Sequence, residues 1–245
     1  MAATYRKQRA APPPGFFAAE ANGLRWLAEA GACAVPGVQE VSETGIAIDV
    51  VPTGPVSRAA AERFGHELAA LHRSGADHYG APWTGYIGNA RMSNADGPDW
   101  PTWFAAHRIQ PYLRGADLAP DEEAVVSRVC DRVADLAGPS EPIARLHGDL
   151  WSGNVLWGID DRVWLIDPAA HGGHRETDLA MLALFGLPHL DVVLAAYDES
   201  WPLADGWRDR VPLHQLFPLL VHAVLFGGHY GRQTVAAARA ALRLA

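Results

Sequence analysis

Residues 146–154 read LHGDLWSGN and residues 163–168 read VWLIDP. No other feature restricts the possible folds as tightly. Asp149 and Asn154 stand five apart, and Asp167 follows thirteen residues later, at the end of a strand-like run introduced by the turn residues Asp160 and Asp161. A strand–loop–strand arrangement is what brings three such side chains to one place. An isolated HGD serves equally well as a turn in which Asp149 caps a backbone group and His147 packs. Turn chemistry has no need of a second acid after a strand, so the joint register of Asn154 and Asp167 favours a chemical site.

Two acids and one amide in this order suit phosphoryl transfer, where positioning and neutralisation of developing charge do most of the catalysis. Asp149 is assigned to the acceptor hydroxyl, orienting it and taking its proton. Mg²⁺ prefers oxygen ligands and takes one or two carboxylates together with substrate phosphates, which fits Asp167 as the main ligand and Asn154 as a neutral second one. The order is that of kinase catalytic and metal loops.

The rest of the chain is expected to be α+β. Phe17, Ala21, Leu24 and Leu27 recur at helical steps within residues 16–30, ending before Gly31. Runs 35–41 and 45–51 are rich in β-branched residues and bounded by Pro36, Pro52 and Gly54, which predicts two short strands and then a break. That break divides a small lobe, residues 1–53, from a larger and mostly helical one, residues 54–245. Helices are predicted at 58–72, with Ser57 as cap, and at 103–113, 121–137, 177–185, 192–201 and from 213 to the end. Residues 74–101, dense in Gly, Asn, Asp and Pro, read as a long ordered loop.

Composition excludes several classes. A formal net charge of −8 gives no basic footprint for nucleic acid. Cys33 and Cys130 are the two cysteines, in neither CxxC nor metal-ligand spacing, so a reducing, cytoplasmic location is expected. No window of eighteen uninterrupted apolar residues occurs, so neither a membrane span nor export is expected.

In LHGDLWSGN, in IDPAAHGGHRETDLAMLALFG and in FFAAEANGLRWLAEAG, the chain resembles the fructosamine (ketosamine) kinases, relatives of the aminoglycoside phosphotransferases and choline kinases. HGD, Asn and IDP are shared widely in that superfamily; the Trp151-Ser152-Gly153 insert and the GHRETDLAML run are the specific part. The resemblance implies a protein-kinase-like fold, ATP as donor, Mg²⁺, and an acceptor sugar joined through an amine to a small molecule or a protein lysine. Phosphorylation at the sugar's third carbon would destabilise the adduct and lead to deglycation. It repeats the assignments of Asp149, Asn154 and Asp167. It also makes Lys7 the phosphate-binding lysine with Glu20 as its helix partner, although Lys7 alone reads equally as a solvated charge.

Asp49 and Val51, where the small lobe meets the break, are placed on the nucleotide side. Trp151 offers a flat face for the sugar, or else packs in the core. His174, Arg175 and Glu176 are assigned to the acceptor pocket, and Asp178 to bracing the HGD loop. A zinc site from His147, His171 and His174 lacks a completing ligand. The chain departs from the family in one respect: six residues precede Lys7, and neither GxGxxG nor GxxxxGK[ST] occurs. A phosphate lid is therefore expected to be missing and nucleotide affinity reduced, which keeps a weakly active binding module open as an alternative. A phosphotransferase acting on an aminoglycoside or choline-like amine is another.

Overall fold

The computed structural model describes residues 3–244. Its small lobe is built on the alternation in GIAID. Strand β1 (Thr4–Gln8), helix α1 (Phe16–Glu29), and strands β2 (Val38–Ser42) and β3 (Gly45–Asp49) form one unit, with an antiparallel sheet in the order β1-β3-β2. Ile46 and Ile48 of β3 are buried against Phe17, Ala21 and Leu24 of α1. Each large apolar side chain buried in this way stabilises by about 1.5–3 kcal/mol. Over residues 35–51 two strands are expected and two are found, β2 and β3, but the first begins three residues late. Pro36 lacks an N–H to donate, and Ala34 instead bridges to Trp164 in the other lobe.

Ser57 accepts from Ala60 N at 3.0 Å and caps α2 (Arg58–Arg73), as predicted. The segment read as a long loop holds a hairpin, β4 (Gly85–Ile87) and β5 (Ala90–Met92), turned at Gly88-Asn89 with Gly88 left-handed. Gly-Asn is itself a two-residue hairpin signal, but strands of three residues are too short to show a period. The helix predicted at 103–113 starts earlier, because Asp99 accepts from Thr102 N at 2.8 Å. It runs as α3 (Trp100–Phe104), a π-helical turn (Ala105–Ile109) and α4 (Gln110–Leu113).

Helix α5 (Pro120–Leu136) is followed by the short strands β6 (Ala144–Leu146), β7 (Val155–Trp157), β8 (Val163–Leu165) and β9 (His171–Gly173). Helices α6 (Glu176–Phe185) and α7 (Leu190–Ser200) lie within two residues of expectation. The last predicted helix is two, α8 (Trp207–Phe226) and α9 (Tyr230–Ala241), separated at Gly227 and Gly228, both left-handed. One core of the large lobe gathers Trp103, Phe104, Ile109 and Phe217; another joins α2 and α7 to β7 and β8. Among the described residues no helix is long and apolar enough to cross a membrane.

Candidate active site

The hairpin of β7 and β8 explains the spacing of thirteen. Val155 pairs with Leu165, so Asn154 before one strand and Asp167 after the other are brought side by side, and Ile166 N donates to Asn154 O at 3.1 Å. Asn154 Nδ2 then donates to Asp149 O at 2.8 Å, to Asp149 Oδ2 at 3.1 Å and to Asp167 O at 3.4 Å. One carboxamide thus ties the two acidic segments together, and its donors point away from the position its oxygen offers to a ligand. Asp167 is left-handed, with φ 55. That conformation costs a non-glycine residue about 1–3 kcal/mol, sustained here by the hairpin that precedes it.

The HGD turn is held from beneath. Gly148 is left-handed (φ 80), and a Cβ there would collide with Ala169 O. His147 N and Gly148 N donate to the two oxygens of Asp178 at 2.7 and 2.9 Å, and His72 Nε2 lies 3.2 Å from the same carboxylate. Burial would raise Asp178, but His72 and the backbone donors outweigh it and hold its pKa below the usual value. His147 is fully buried and its pKa is lowered by burial. Its Nε2 faces Ile166 O at 2.9 Å and Asp149 N donates to its Nδ1 at 3.3 Å, so the imidazole is a neutral structural link. Asp149 is pushed up to about 7, by burial first and by Asp167 besides, against the stabilising Asn154 amide.

From the small lobe, Lys7 reaches across. Its Nζ lies 2.8 Å from Glu20 Oε1 and also contacts Asp167 Oδ1. Burial would lower Lys7, but the two carboxylates more than offset it and raise its pKa; burial also raises Glu20. Two cavities meet at Lys7 and Asp167. One, of about 320 Å³, is walled by Glu20, Asp149, Asn154 and Trp151 together with Phe16 and Tyr86. The other, of about 200 Å³, is mainly apolar, with Ile48, Val51, Leu156 and Ile166 on its walls. Asp49 borders this second cavity, but its carboxylate accepts from Gly37 N and Gln39 Nε2 at 3.1 and 2.7 Å and braces β2.

Trp151 is 38% exposed at the edge of the larger cavity rather than packed in the core. Gly153 permits this, since a Cβ there would run into the indole. The residues that sequence reasoning missed are Phe16, on the first turn of α1, and Tyr86 on β4. The Phe-Phe pair after APPPG and the Gly88-Asn89 turn were their available signals.

The structure removes His174, Arg175 and Glu176 from the acceptor pocket. All three are at least 95% buried, in the helical lobe, and none lines either cavity. The Arg175 guanidinium pairs with Glu141, Nη2 to Oε1 at 2.7 Å, donates to the carbonyls of Trp201 and Pro202, and lies 4.0 Å from the centre of a Trp201 ring. Glu176 takes two hydrogen bonds from Arg210, at 2.6 and 3.0 Å. His174 lies against Trp100 and His214. It meets Glu176 and His214 rather than His147 and His171, and Arg210 already occupies the carboxylate of that group. Each charge here answers a partner on a distant element, which a local polar run cannot reveal.

A family model described as fructosamine kinase matches residues 5–243. The chain is 35% identical over 225 residues to a probable ketoamine kinase of Thermus thermophilus, covering 89% of this chain and 80% of that protein. It superposes with a TM-score of 0.95 and 52% identity on a crystal structure described as a candidate fructosamine-3-kinase from Thermobifida fusca, covering 98% and 85% of the two chains. A choline/ethanolamine kinase family protein of Mesorhizobium loti shares the fold, with a TM-score of 0.63 at 18% identity over 98% of this chain and 82% of the other.

Proposed function

The chain belongs to the fructosamine kinase family, and from that premise we propose that it moves the terminal phosphoryl group of ATP onto a sugar hydroxyl of a ketoamine. The observation that carries the reading is the single amide of Asn154 joining Asp149 to Asp167 beside the Lys7–Glu20 pair, on the wall shared by two cavities. The apolar cavity suits a nucleoside base, with Val51 on its wall; Asp49 serves it through the strand it braces. In this reading residues 1–53 cover the nucleotide and 54–245 hold the acceptor side.

Lys7 is held by two acids in the free protein. With nucleotide present, its ammonium faces the phosphates as a point charge while Glu20 keeps it in place. Asp167 and the Asn154 amide oxygen are the hard oxygen donors that would hold Mg²⁺, whose charge would offset that of the phosphates. Asp149, with Oδ2 engaged by Asn154, has Oδ1 for the acceptor hydroxyl. The acceptor oxygen forms its bond to the terminal phosphorus, the bond to the bridging oxygen breaks, and the hydroxyl proton passes to Asp149.

Aromatic walls from Phe16, Tyr86 and Trp151 suit the apolar faces of a sugar chain. The acids of that cavity are already matched by Lys7 and Asn154. We place the transfer at the third carbon, and extend the acceptor to sugars on protein lysines, on the strength of the family. The test is ATP consumption with a small fructosamine and Mg²⁺, run beside Asp149→Asn. Turnover that depends on the fructosamine and falls by roughly 10²–10⁴ in the variant is expected. Unchanged turnover in the variant would refute the assignment of Asp149, and none with any ketoamine in the unaltered protein would refute the acceptor class.

A further inference from the structure

Trp151 is the first ring of a ladder that leaves the larger cavity and runs over the surface of the helical lobe. Its ring centre lies 5.7 Å from that of Phe185, which lies 5.0 Å from His222. His222 in turn lies 5.4 Å from Phe226 and 4.9 Å from Tyr230. Core packing accounts for part of Tyr230, which lies against the large-lobe core, but not for Phe226, which is 67% exposed at the end of α8. A second contact fixes the ladder beside the cavity mouth. Leu225 Cδ1 lies 3.2 Å from where a Cβ on Gly88 would stand, and Gly88 lines the cavity from the hairpin side.

The ladder is also neutral. No Asp, Glu, Lys or Arg occurs from residue 221 to 230 or from 179 to 190, in a chain of net charge −8. His222 has its pKa lowered by burial, and its Nδ1 donates to Pro218 O at 2.7 Å. Uncharged rings at centre spacings of 5–6 Å offer little to a phosphate or a carboxylate and much to hydrocarbon. The ladder joins the cavity that holds Asp149, not the apolar cavity on the far side of Lys7 and Asp167, so it serves the acceptor and not the nucleotide.

We propose that Phe185, His222, Phe226 and Tyr230 form an outer acceptor subsite that takes the arm carried on the ketoamine nitrogen, selecting alkyl or aryl arms over short polar ones. The inference rests on the ketoamine reading above and names the half of the substrate which that reading leaves open. The sugar occupies the cavity beside Trp151, and the nitrogen at its end directs the arm outward along the rings. Hydrocarbon laid on these rings leaves water against uncharged side chains.

The experiment compares fructosamines of ethanolamine and of the ε-nitrogen of Nα-benzoyl-lysinamide, both simple alkylamines and different in arm. In the unaltered protein the longer adduct is expected to have the lower KM at similar kcat. Phe226→Ala, at a largely exposed position, should raise the KM of the long adduct roughly fivefold, the worth of an aromatic contact. The short adduct and ATP should stay within about twofold, and Phe226→Trp should restore the preference. Equal effects on both adducts, or no effect on either, would overturn the subsite while leaving the kinase reading intact. Turnover of neither adduct by the unaltered protein would overturn both.

Discussion

Asp178 offers the sharpest test of how the fold serves the site. Its carboxylate is 99% buried and accepts the backbone N–H groups of His147 and Gly148, one on each oxygen, with His72 alongside. Asp178→Asn keeps the volume but replaces one acceptor oxygen by an NH₂ that can only donate. One buried N–H is then left without a partner and faces another donor. An unsatisfied buried donor costs about 1–3 kcal/mol, and hydrogen bonds to a charged group contribute about 1.5–3 each, so a loss of about 3 kcal/mol is expected. For a chain of this size that lowers Tm by roughly 6–12 °C. Urea unfolding should show a lower midpoint at unchanged slope. Because the two N–H groups belong to the turn that carries Asp149, kcat should fall while KM for ATP stays within about twofold. A midpoint within about 0.5 kcal/mol of the unaltered protein, with kcat unchanged, would show that the loop does not depend on this carboxylate.

Two further outcomes are expected. Arg210→Leu leaves the Glu176 carboxylate buried without its guanidinium partner, which should cost about 3–5 kcal/mol in urea unfolding. KM for the acceptor should not move, and a selective rise would return Glu176 to the acceptor pocket. His171 and His174 are buried and neutral, with His171 pushed down to about 3 by burial and His174 also held well below its usual value by burial and by His214. The unfolded chain takes up protons on both below about 6.5 and the folded chain does not, so stability is full above that pH. It should be lost as pH falls towards 3, by roughly 1.4 kcal/mol per unit for each histidine. Glu176, held at about 2 because His214 and Arg210 outweigh its burial, adds a further loss below about 4.5. A urea midpoint that stays flat between pH 7 and pH 5 would contradict this.

The parts of the molecule that could be read from the sequence are those whose partners lie close in the chain. Asn154 and Asp167 flank a single hairpin, so their spacing encodes their meeting, and Ser57 announces α2 from its own cap position. The Lys7–Glu20 pair was legible only through the resemblance, since nothing local distinguishes that lysine from a solvated one. The errors have a common cause in long-range partners. GHRE looks like a polar loop beside a metal site, but Glu141, Trp201 and Arg210 lie 25 to 35 positions away and draw those side chains inward. Asp49 does border the apolar cavity, but its carboxylate is engaged by Gly37 and Gln39, which its place at the end of a strand does not reveal. The hairpin at Gly88-Asn89 escaped for the opposite reason: its signal was local, but three-residue strands leave no period to read.

The buried charges after β9 then acquire a purpose that a substrate role would not give them. Asp178 must present both oxygens upward from the first turn of α6, and a helix start that wandered by an ångström would lose both bonds to the HGD turn. Arg175 anchors the residue before that turn to Glu141 and to the 201–202 backbone, while Glu176 anchors its first residue to α8 through Arg210. Two ion pairs, one through Arg175 and one through Glu176, tie consecutive residues at the helix start to separate partners, Glu141 and Arg210, and constrain it more than one pair would. Buried ion pairs are weak evidence for net stability, but their directionality selects one arrangement. On this argument the run GHRETD acts on the acceptor through Asp149, by fixing Asp178, and in the function proposed above the choice of acceptor falls to the rings of Trp151, Phe16 and Tyr86 together with the outer rings beyond Trp151. Losing an anchor should therefore depress kcat and leave the order of preferred acceptors untouched, whereas changes on the ring surfaces should reorder acceptors and leave the pH dependence of stability as it was.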